Sequence, residues 1–208
     1  PLPSAMHDRL AGHAGDPFLT SWILRWSYRA LDEGTLLGRS FWDGSIFFPH
    51  ERTLCYSEHL LGLAIPSWPL WRASRDLPLC YNSVLLASFT LAAAASYLLA
   101  YQVIRSRAAS MAAGVLFAFC PFRMVEIGHI QTEVSFGVPL CFLYLERYLT
   151  RGRRSALALA VASLVFCFLA SLYVGMFASL LVPPYLVLRR DLVRRRRGDL
   201  LLAVLLVA

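Results

Sequence analysis

Two stretches of this chain carry no charged residue and are long enough to cross a lipid bilayer. They cover residues 79–101 and 155–188 and contain 23 and 34 residues, whereas a membrane-spanning helix needs about 20. Inside a bilayer the backbone must satisfy its own hydrogen bonds, so such stretches fold as helices. Charged residues make up only 16% of the chain, against about 25% in a typical soluble protein. The sequence therefore predicts an all-α, polytopic integral membrane protein.

The other apolar runs complete a predicted transmembrane region over residues 79–208, with about five spans. Residues 108–122 are expected to lead outward and residues 134–149 to return. The longer uncharged stretch exceeds one span, and residues 171–175 (Ser-Leu-Tyr-Val-Gly) offer a break, so we expect a hairpin of two short spans there. The last run, residues 200–208, stops after nine residues. This predicts a truncated final span and a chain that is a fragment, open at both ends.

The arginines indicate how the predicted spans are oriented. All 20 basic residues are arginine. Twelve of them lie in segments 105–107, 147–154 and 189–197, where the only nearby acids are Glu146, Asp191 and Asp199. Because short cytoplasmic loops are enriched in positive charge, we expect these segments to face the cytoplasm. The opposite face then holds ten acids and all five histidines, which predicts the chemistry on the outer face. The run 194–197 is interpreted as a topology anchor, and no nucleic-acid partner is predicted.

Residues 1–78 are predicted to form a large outer loop with two helices at the membrane surface. In residues 17–31, apolar and aromatic residues alternate with arginine, a proline suits the first turn, and Asp16 suits the N-cap. This segment is too short and too charged to cross, which is typical of an interfacial amphipathic helix. Residues 32–58 follow as a loop. Residues 59–71, with two prolines and two tryptophans, predict a second juxtamembrane helix.

Asp16 is the leading candidate for chemistry in this first loop. A carboxylate at the start of a helix is a common N-cap, and the sequence leaves that interpretation open. The positive end of the helix dipole also stabilises an ionised carboxylate, which can then act as a general base. The two roles are compatible.

Four further side chains of the first loop are candidates for binding a substrate. Asp43 precedes a glycine and is equally suited to closing a turn. His50 lies in a loop, where a solvated surface position is the ordinary interpretation. Glu58 and His59 are neighbours that would point about 100° apart on a helix, so they can line one pocket without sharing a proton.

The second outer loop places a cation, acids and an imidazole near the predicted membrane surface. Arg123 follows the end of a span and is suited to bind a phosphate at headgroup depth, although arginines also anchor helix ends. Arg123, Glu126 and His129 recur every three residues and would share one face of a continued helix. Because such a face is unfavourable against lipid, we expect it to turn toward the first loop. Gln131 completes the candidate binding residues.

Several strings in these loops resemble one enzyme family. They are Gly15-Asp16-Pro17, Phe47-Phe48-Pro49-His50, Tyr56-Ser57-Glu58-His59-Leu60-Leu61-Gly62 and Gly128-His129-Ile130-Gln131. Together with two juxtamembrane helices in a large first outer loop, they resemble the N-terminal part of GT-C type glycosyltransferases, which take sugar from a polyprenyl-phosphate donor. The resemblance covers nearly the whole chain. It implies that Asp16 matches the catalytic first-loop aspartate, although any second acid must come from elsewhere, such as Asp43 or Glu58.

The resemblance implies an inverting glycosyltransferase of the bacterial inner membrane, with its site on the outer face. Asp16 would be the base, Arg123 and His129 would neutralise the departing lipid phosphate, and membrane lipid and the lipid-linked sugar would be the partners. A divalent metal is compatible with these residues but not required by them. The alternative is a non-catalytic protein such as a lipid-linked-sugar transporter or an assembly subunit. The five cysteines lack metal-ligand spacing and are interpreted as small apolar side chains.

Overall fold

A computed structural model describes residues 5–13 and 15–195, and all regular structure among them is helical. This confirms the all-α prediction. The α-helices of the described residues are α1 (Asp16–Glu33), α2 (Leu61–Ser74), α3 (Leu77–Ile104), α4 (Arg107–Ala118), α5 (Pro121–Val125), α6 (Ile130–Glu133), α7 (Gly137–Arg151), α8 (Arg154–Ala170), α9 (Leu172–Leu188) and α10 (Arg190–Arg194). The predicted final span over residues 200–208 lies outside the described residues.

The chain divides into two compact units. Of the described residues, the first comprises residues 5–13, 15–89, 121–134 and 169–172, and the second comprises residues 90–120, 135–168 and 173–195. In the first unit, α1, α2 and the start of α3 lie with α5, α6 and the junction between α8 and α9. All candidate site residues from the sequence belong to this first unit.

The start of α1 differs by one residue from the prediction. Gly15 takes the N-cap position with a φ of 135°, and α1 begins at Asp16 without any side-chain cap. The predicted N-cap role of Asp16 is therefore wrong, and its carboxylate has another partner. The helix ends at Gly34, whose left-handed φ of 69° lets its N–H bond to the carbonyl of Ala30. Glycine adopts this conformation without a Cβ clash.

The buried face of α1 packs against α2. Ile23 and Leu24 are fully buried. Tyr28 stacks on Trp71 with 5.2 Å between ring centroids, and its hydroxyl lies 2.7 Å from Oγ of Ser67. Both predicted helices of the first loop are thus present as helices, with α2 beginning two residues later than predicted.

The segment between α1 and α2, predicted as a plain loop, contains two short 3₁₀ helices. They span Arg39–Phe41 and Thr53–Tyr56. The indole Nε1 of Trp26, on α1, donates to the carbonyl of Phe41 at 2.8 Å. This bond fastens the first of the two short helices to α1.

The helix break predicted within residues 171–175 is confirmed at its first position, where Ser171 separates α8 from α9. The buried carboxylate of Glu58 accepts hydrogen bonds from Oγ of Ser171 at 2.9 Å and from the N–H of Leu172 at 2.8 Å. The first N–H groups of a helix have no intrahelical partner, and a carboxylate there satisfies them. Glu58 therefore ties the first loop to the helix break.

Gly62→Ala is expected to destabilise the first unit by about 1–3 kcal/mol, the usual range for overpacking. A Cβ at Gly62 would lie 2.6 Å from the backbone nitrogen and 2.9 Å from the Cα of Ala170. Backbone cannot turn aside as a flexible side chain can. Thermal unfolding in detergent measures the loss. Ile65→Ala, on the exposed side of α2, is the matched control and should change stability by less than about 0.5 kcal/mol; equal stability of the two variants would contradict the close contact.

The core of the second unit is built around α7. Phe142 and Tyr148 are buried among apolar side chains. Glu146, also buried, accepts hydrogen bonds from the hydroxyl of Tyr185 and the guanidinium of Arg189. A buried carboxylate needs such partners because its desolvation is otherwise uncompensated.

Among the described residues, two helical segments are long and apolar enough to cross a membrane. They are α3, with 28 residues, and Arg107–Val125, which holds α4 and α5, with 19 residues; the most apolar 18-residue windows of the two have mean hydropathies of 1.8 and 1.6. The apolar helices α8 and α9 are shorter, with 17 residues each. The assignment of α3 and Arg107–Val125 as segments able to cross a membrane is based on length and composition alone.

Candidate functional site

The side chains of Asp16, His129 and Glu126 meet in the first unit. Oδ2 of Asp16 lies 2.7 Å from Nε2 of His129, and Oε2 of Glu126 lies 2.8 Å from Nδ1 of the same ring. The side chains of Asp16 and His129 are 50% and 42% exposed, so an outside molecule can reach them. We term these three residues the relay cluster.

An imidazole with a carboxylate at each nitrogen is arranged to move protons. In the neutral ring only one nitrogen carries a hydrogen, so His129 can donate to one carboxylate at a time. The second carboxylate, that of Glu126, lies at ion-pair distance from Nδ1 but makes no hydrogen bond to it. A hydroxyl that approaches Asp16 can lose its proton to the Asp16 carboxylate, which lies beside the imidazole of His129. This is the geometry of general-base catalysis.

Close backbone contact brings the loop that precedes α6 to the start of α1. A Cβ on Gly12 would lie 2.5 Å from the Cα of Gly128, so these two glycines touch backbone to backbone. Tyr81 on α3 donates from its hydroxyl to the carbonyl of Gly128 at 3.4 Å. These contacts position His129, the next residue, over Asp16. Only residues without a side chain allow this approach.

Two predictions were made for the loop that precedes α6. Its approach to the first loop is confirmed, and its continued helical geometry is wrong. The loop turns toward the first loop, as expected. However, α5 ends at Val125, and the N–H of His129 bonds to the carbonyl of Glu126 in a turn. Arg123 therefore does not share a helical face with the other two residues.

Arg123 forms a buried ion pair instead. Its Nε donates to Oε2 of Glu133 at 2.9 Å, and its Nη2 donates to the carbonyl of Glu133 at 2.7 Å. The two side chains are 4% and 0% exposed, and the guanidinium lies 4.6 Å from the ring centroid of Phe89. Burial raises the pKa of the Glu133 carboxyl, and Arg123 opposes that rise. A phosphate would have to displace Glu133 to reach this arginine.

The other candidate residues take different places in the first unit. Asp43 is exposed, and its Oδ1 accepts from the N–H of Arg52 at 2.8 Å, so it closes a loop as the alternative interpretation held. His50 is exposed. Gln131 is half-buried, and its Oε1 has no hydrogen-bond partner within the described part of the chain. Among the described residues, neither these three side chains nor Glu58 forms an ion pair or a hydrogen bond with the relay cluster.

His59 is half-buried beside the ring of Trp42, with 6.2 Å between ring centroids. Its Nδ1 accepts from the N–H of Leu61 at 3.2 Å, at the start of α2. Burial lowers the pKa of His59, while the neighbouring charge of Glu58 acts in the opposite direction. The ring is therefore held in its neutral form, which alone can accept that hydrogen bond.

Lowering the pH below about 6.5, the ordinary pKa of histidine, is expected to destabilise the protein through His59. Above that pH the ring is neutral in both states. Below it the unfolded chain takes up the proton first, so stability falls as the pH approaches the lower pKa of the folded state. Thermal unfolding between pH 7.5 and 5 measures this slope. His59→Gln should flatten it, whereas His50→Gln, at an exposed site, should leave it unchanged; identical slopes in all three proteins would contradict the assignment.

A cleft of about 490 Å³ opens beside the relay cluster. This volume is within the range of small-molecule sites, about 300–1,000 Å³. Pro17, the residue after Asp16, lines the cleft, whereas the three residues of the relay cluster do not. Arg9 and His13 supply a cation and an imidazole to it. The lining residues are Asp8, Arg9, Leu10, Gly12, His13, Pro17, Phe18 and Pro78.

No known protein family, curated protein or solved structure matches this chain. The interpretation of the site therefore depends on its geometry. In residues 5–13 and 15–195, no group of three or more His, Cys, Asp or Glu side chains is arranged to hold a metal ion. All five cysteines are free thiols. Cys80, Cys141 and Cys167 are buried, in agreement with their interpretation as small apolar residues, whereas Cys55 is exposed and Cys120 is half-buried.

The sequence interpretation missed the N-terminal wall of the cleft and the residue that holds it. Asn82 on α3 is fully buried. Its Nδ2 donates to the carbonyls of Met6 and Arg9 at 3.1 and 2.7 Å, and its Oδ1 accepts from the N–H of Ala11 at 3.0 Å. An amide inside an otherwise apolar run was the signal, because its polar atoms must find partners when buried.

Proposed function

We propose that this chain carries the active site of a membrane glycosyltransferase that moves a sugar from a polyprenyl-phosphate donor to an acceptor hydroxyl. The observation that carries the proposal is the 2.7 Å contact between Oδ2 of Asp16 and Nε2 of His129, with Glu126 at the other ring nitrogen. A solvent-open carboxylate backed by an imidazole is suited to remove a proton from a hydroxyl. The adjoining cleft offers Arg9 and His13 to a phosphate.

The proposal includes a polytopic arrangement in the bacterial inner membrane, with membrane lipid as a partner. In the most apolar windows of α3 and Arg107–Val125, only 28% and 22% of the residues are buried, whereas the core helix of a soluble protein is mostly buried. On α9, Phe177, Leu180 and Leu188 are 65%, 67% and 82% exposed, and soluble proteins rarely expose such contiguous apolar surface. The excess of arginine in the opposite loops favours the relay cluster on the outer face.

In the proposed reaction Asp16 takes the proton of the acceptor hydroxyl. The hydroxyl oxygen attacks the anomeric carbon of the donor sugar at the same time. The bond from that carbon to the phosphate oxygen breaks with inversion, and the lipid phosphate leaves with the electron pair. Arg9 and His13 stabilise the charge that develops on the departing phosphate. Arg123, expected from sequence to do this, is bound to Glu133 and becomes a positioning residue in this proposal.

The helix break favours the second candidate function, a non-catalytic transporter or assembly subunit. Transporters use interrupted helices near their substrate sites. Here Ser171 marks a helix break between α8 and α9. In such a protein Glu58 would hold the break, and the relay cluster would only fasten two loops together. The solvent exposure of the cluster favours the enzyme.

Reconstitution of the protein, together with any sequence that flanks this chain in its gene, tests the proposal. Vesicles of bacterial phospholipid are loaded with a labelled polyprenyl-phosphate sugar, and the release of polyprenyl phosphate is followed. Turnover supports the transferase. Binding or movement of the intact lipid-linked sugar between leaflets, with no release, would support the second candidate instead.

A further inference from the structure

Three aromatic side chains in the segment between α1 and α2 are exposed at the surface of the first unit. Phe48 is 97% exposed, Phe47 62% and Tyr56 63%. The ring centroids of Phe47 and Tyr56 lie 6.2 Å apart, and Phe48 follows Phe47 in the chain. We term these three residues the aromatic tip. A contiguous exposed apolar surface of this kind marks an interaction site.

Hydrogen bonds hold the base of the aromatic tip in one shape. The hydroxyl of Thr53, fully buried, donates to the carbonyl of Gly44 at 2.6 Å, and the N–H of Leu54 donates to the carbonyl of Trp42 at 3.1 Å. Gly44 is closely packed, because a Cβ there would lie 3.1 Å both from Oγ1 of Thr53 and from the ring of Trp22. The rings of the tip therefore cannot fold back into the unit without breaking these contacts.

The backbone of Phe47 lies in the left-handed region, with a φ of 59°. For a bulky side chain this conformation is an outlier and costs about 1–3 kcal/mol. It persists only where the surrounding structure imposes it, and such strain clusters at functional sites. In Phe47 the strain accompanies an exposed ring, so the exposure is imposed by the fold.

An apolar cleft of about 320 Å³ lies in the same segment. Its lining residues are Arg39, Trp42, Arg52 and Cys55, yet its surface is almost wholly apolar. The two arginines therefore contribute their aliphatic stems to the cleft, and their guanidinium groups do not face it. A long basic side chain that covers apolar surface while keeping its charge in a polar layer is said to snorkel.

The charges of Arg39 and Arg52 have no carboxylate partner in the described part of the chain. Both residues are exposed, and neither is among the described ion pairs. The carboxylate of Asp43 accepts a hydrogen bond from the backbone N–H of Arg52. Guanidinium groups whose stems cover apolar surface suit the phosphates of lipid headgroups, which arginine can bind through two parallel hydrogen bonds.

The residue types of this surface are those found where a bilayer meets water. Aromatic rings are enriched at that boundary, and arginine reaches from it to the headgroups. The first unit carries a second pair of this kind on α2, where the guanidinium of Arg72 lies 5.2 Å from the ring centroid of Trp68. A protein partner would use similar residues, but the apolar helices of this chain supply a bilayer as the nearer occupant.

We propose that the aromatic tip enters the outer boundary of the bilayer. The rings of Phe47, Phe48 and Tyr56 lie between headgroups and acyl chains, and the guanidinium groups of Arg39 and Arg52 lie at the phosphates. The inference rests on the proposed membrane arrangement and deepens it, but it makes no use of the relay cluster or of sugar transfer. A segment anchored in this way keeps α1 at the surface where a lipid-linked substrate is presented.

Spin labels at single cysteines measure the depth of the tip. The protein, with its flanking sequence, is reconstituted in vesicles of bacterial phospholipid on a Cys55→Ser, Cys120→Ser background, which removes the thiols that are not buried. A nitroxide at Phe48→Cys or Tyr56→Cys is relaxed by oxygen, which concentrates in lipid, or by a nickel chelate, which stays in water. Oxygen should be the stronger at both positions and place the labels about 5–10 Å below the phosphates, the depth of interfacial segments.

Two further positions separate a failure of this inference from a failure of the membrane arrangement. Leu180→Cys, on α9 and 67% exposed, should be relaxed by oxygen. Glu51→Cys, at an exposed polar position of the same segment, should be relaxed more strongly by the nickel chelate. A label in lipid at position 180 and in water at position 48 would overturn the inference alone, whereas a label in water at position 180 would overturn the membrane arrangement and the inference together.

A Phe48→Ser variant tests whether the ring holds the tip in lipid. In the protein labelled at Tyr56→Cys, this substitution should move the label toward water, because the tip loses its most exposed apolar side chain. His50→Ser, at an exposed position two residues further on, is the matched control and should leave the depth unchanged. Weak relaxation by both reagents at positions 48 and 56 would show that protein covers the tip, either a second copy or another segment of the chain, and would overturn the contact with lipid.

Discussion

Asp16→Asn is expected to lower the rate of sugar transfer by about 10²–10⁴-fold, the range that a positioned general base contributes. The amide keeps the size of the carboxylate but cannot accept the acceptor's proton. It can still donate to or accept from Nε2 of His129, which lies 2.7 Å from Oδ2 in the present structure. The helix start should be retained, because no side chain caps it. Release of polyprenyl phosphate by reconstituted protein is the measurement.

Two comparisons separate a catalytic loss from a folding loss. Glu33→Gln makes the same chemical change at the exposed end of α1 and should keep full activity. Glu126→Gln should lower activity less than Asp16→Asn, because Glu126 contacts only the far nitrogen of His129. If Asp16→Asn retained wild-type turnover while folding normally, Asp16 would be excluded as the base.

Arg123→Met is expected to destabilise the protein by about 3–5 kcal/mol, the range for removing one partner of a buried ion pair. Glu133 is fully buried and would lose two hydrogen bonds from Arg123, one to its carboxylate and one to its backbone carbonyl. Thermal unfolding in detergent micelles measures the effect. The double variant Arg123→Met, Glu133→Leu should recover much of the loss, because no uncompensated charge then remains.

The pH dependence of the Arg123→Met variant provides a second readout. Burial already raises the pKa of Glu133, and Arg123 acts against that rise, so the pKa should rise further in the variant. A carboxyl with a raised folded-state pKa binds its proton more tightly when folded, and stability therefore increases as the pH falls toward the unfolded value of about 4.3. The variant should regain stability relative to wild type between pH 7 and 5. A loss independent of pH would indicate that the lost packing against Phe89 dominates instead.

The pattern of the sequence was sufficient for the long apolar helices and their order. Long uncharged runs leave the backbone no other way to satisfy its hydrogen bonds, so α3, α8 and α9 were predicted close to their observed bounds. The break at Ser171 was visible as a stretch longer than one span with small residues in its middle. What holds that break could not be predicted, because Glu58 lies more than a hundred residues away, with a sequence separation of 113.

The sequence predicted which residues belong to the candidate site better than it predicted which of them contact each other. Asp16 and His129 both stood out as polar groups beside apolar segments, and the second outer loop was expected to turn toward the first. Their contact, however, requires the backbone approach of Gly12 to Gly128, and glycines give no periodic signal. The prediction for Arg123 differed from its observed contact. Its charge suggested that it binds a phosphate, whereas the buried side chain pairs with Glu133.

The sequence by itself determined the helical class and the order of the long helices, because these depend on local hydrophobicity, and it supplied the candidate groups for chemistry. Only the tertiary structure decided which groups meet. It joined Asp16 to His129, gave Arg123 to Glu133, and assembled a cleft from Arg39, Trp42, Arg52 and Cys55. The physical reason is that a buried or confined polar group takes the partner that packing brings near, and packing depends on contacts between residues far apart in the chain.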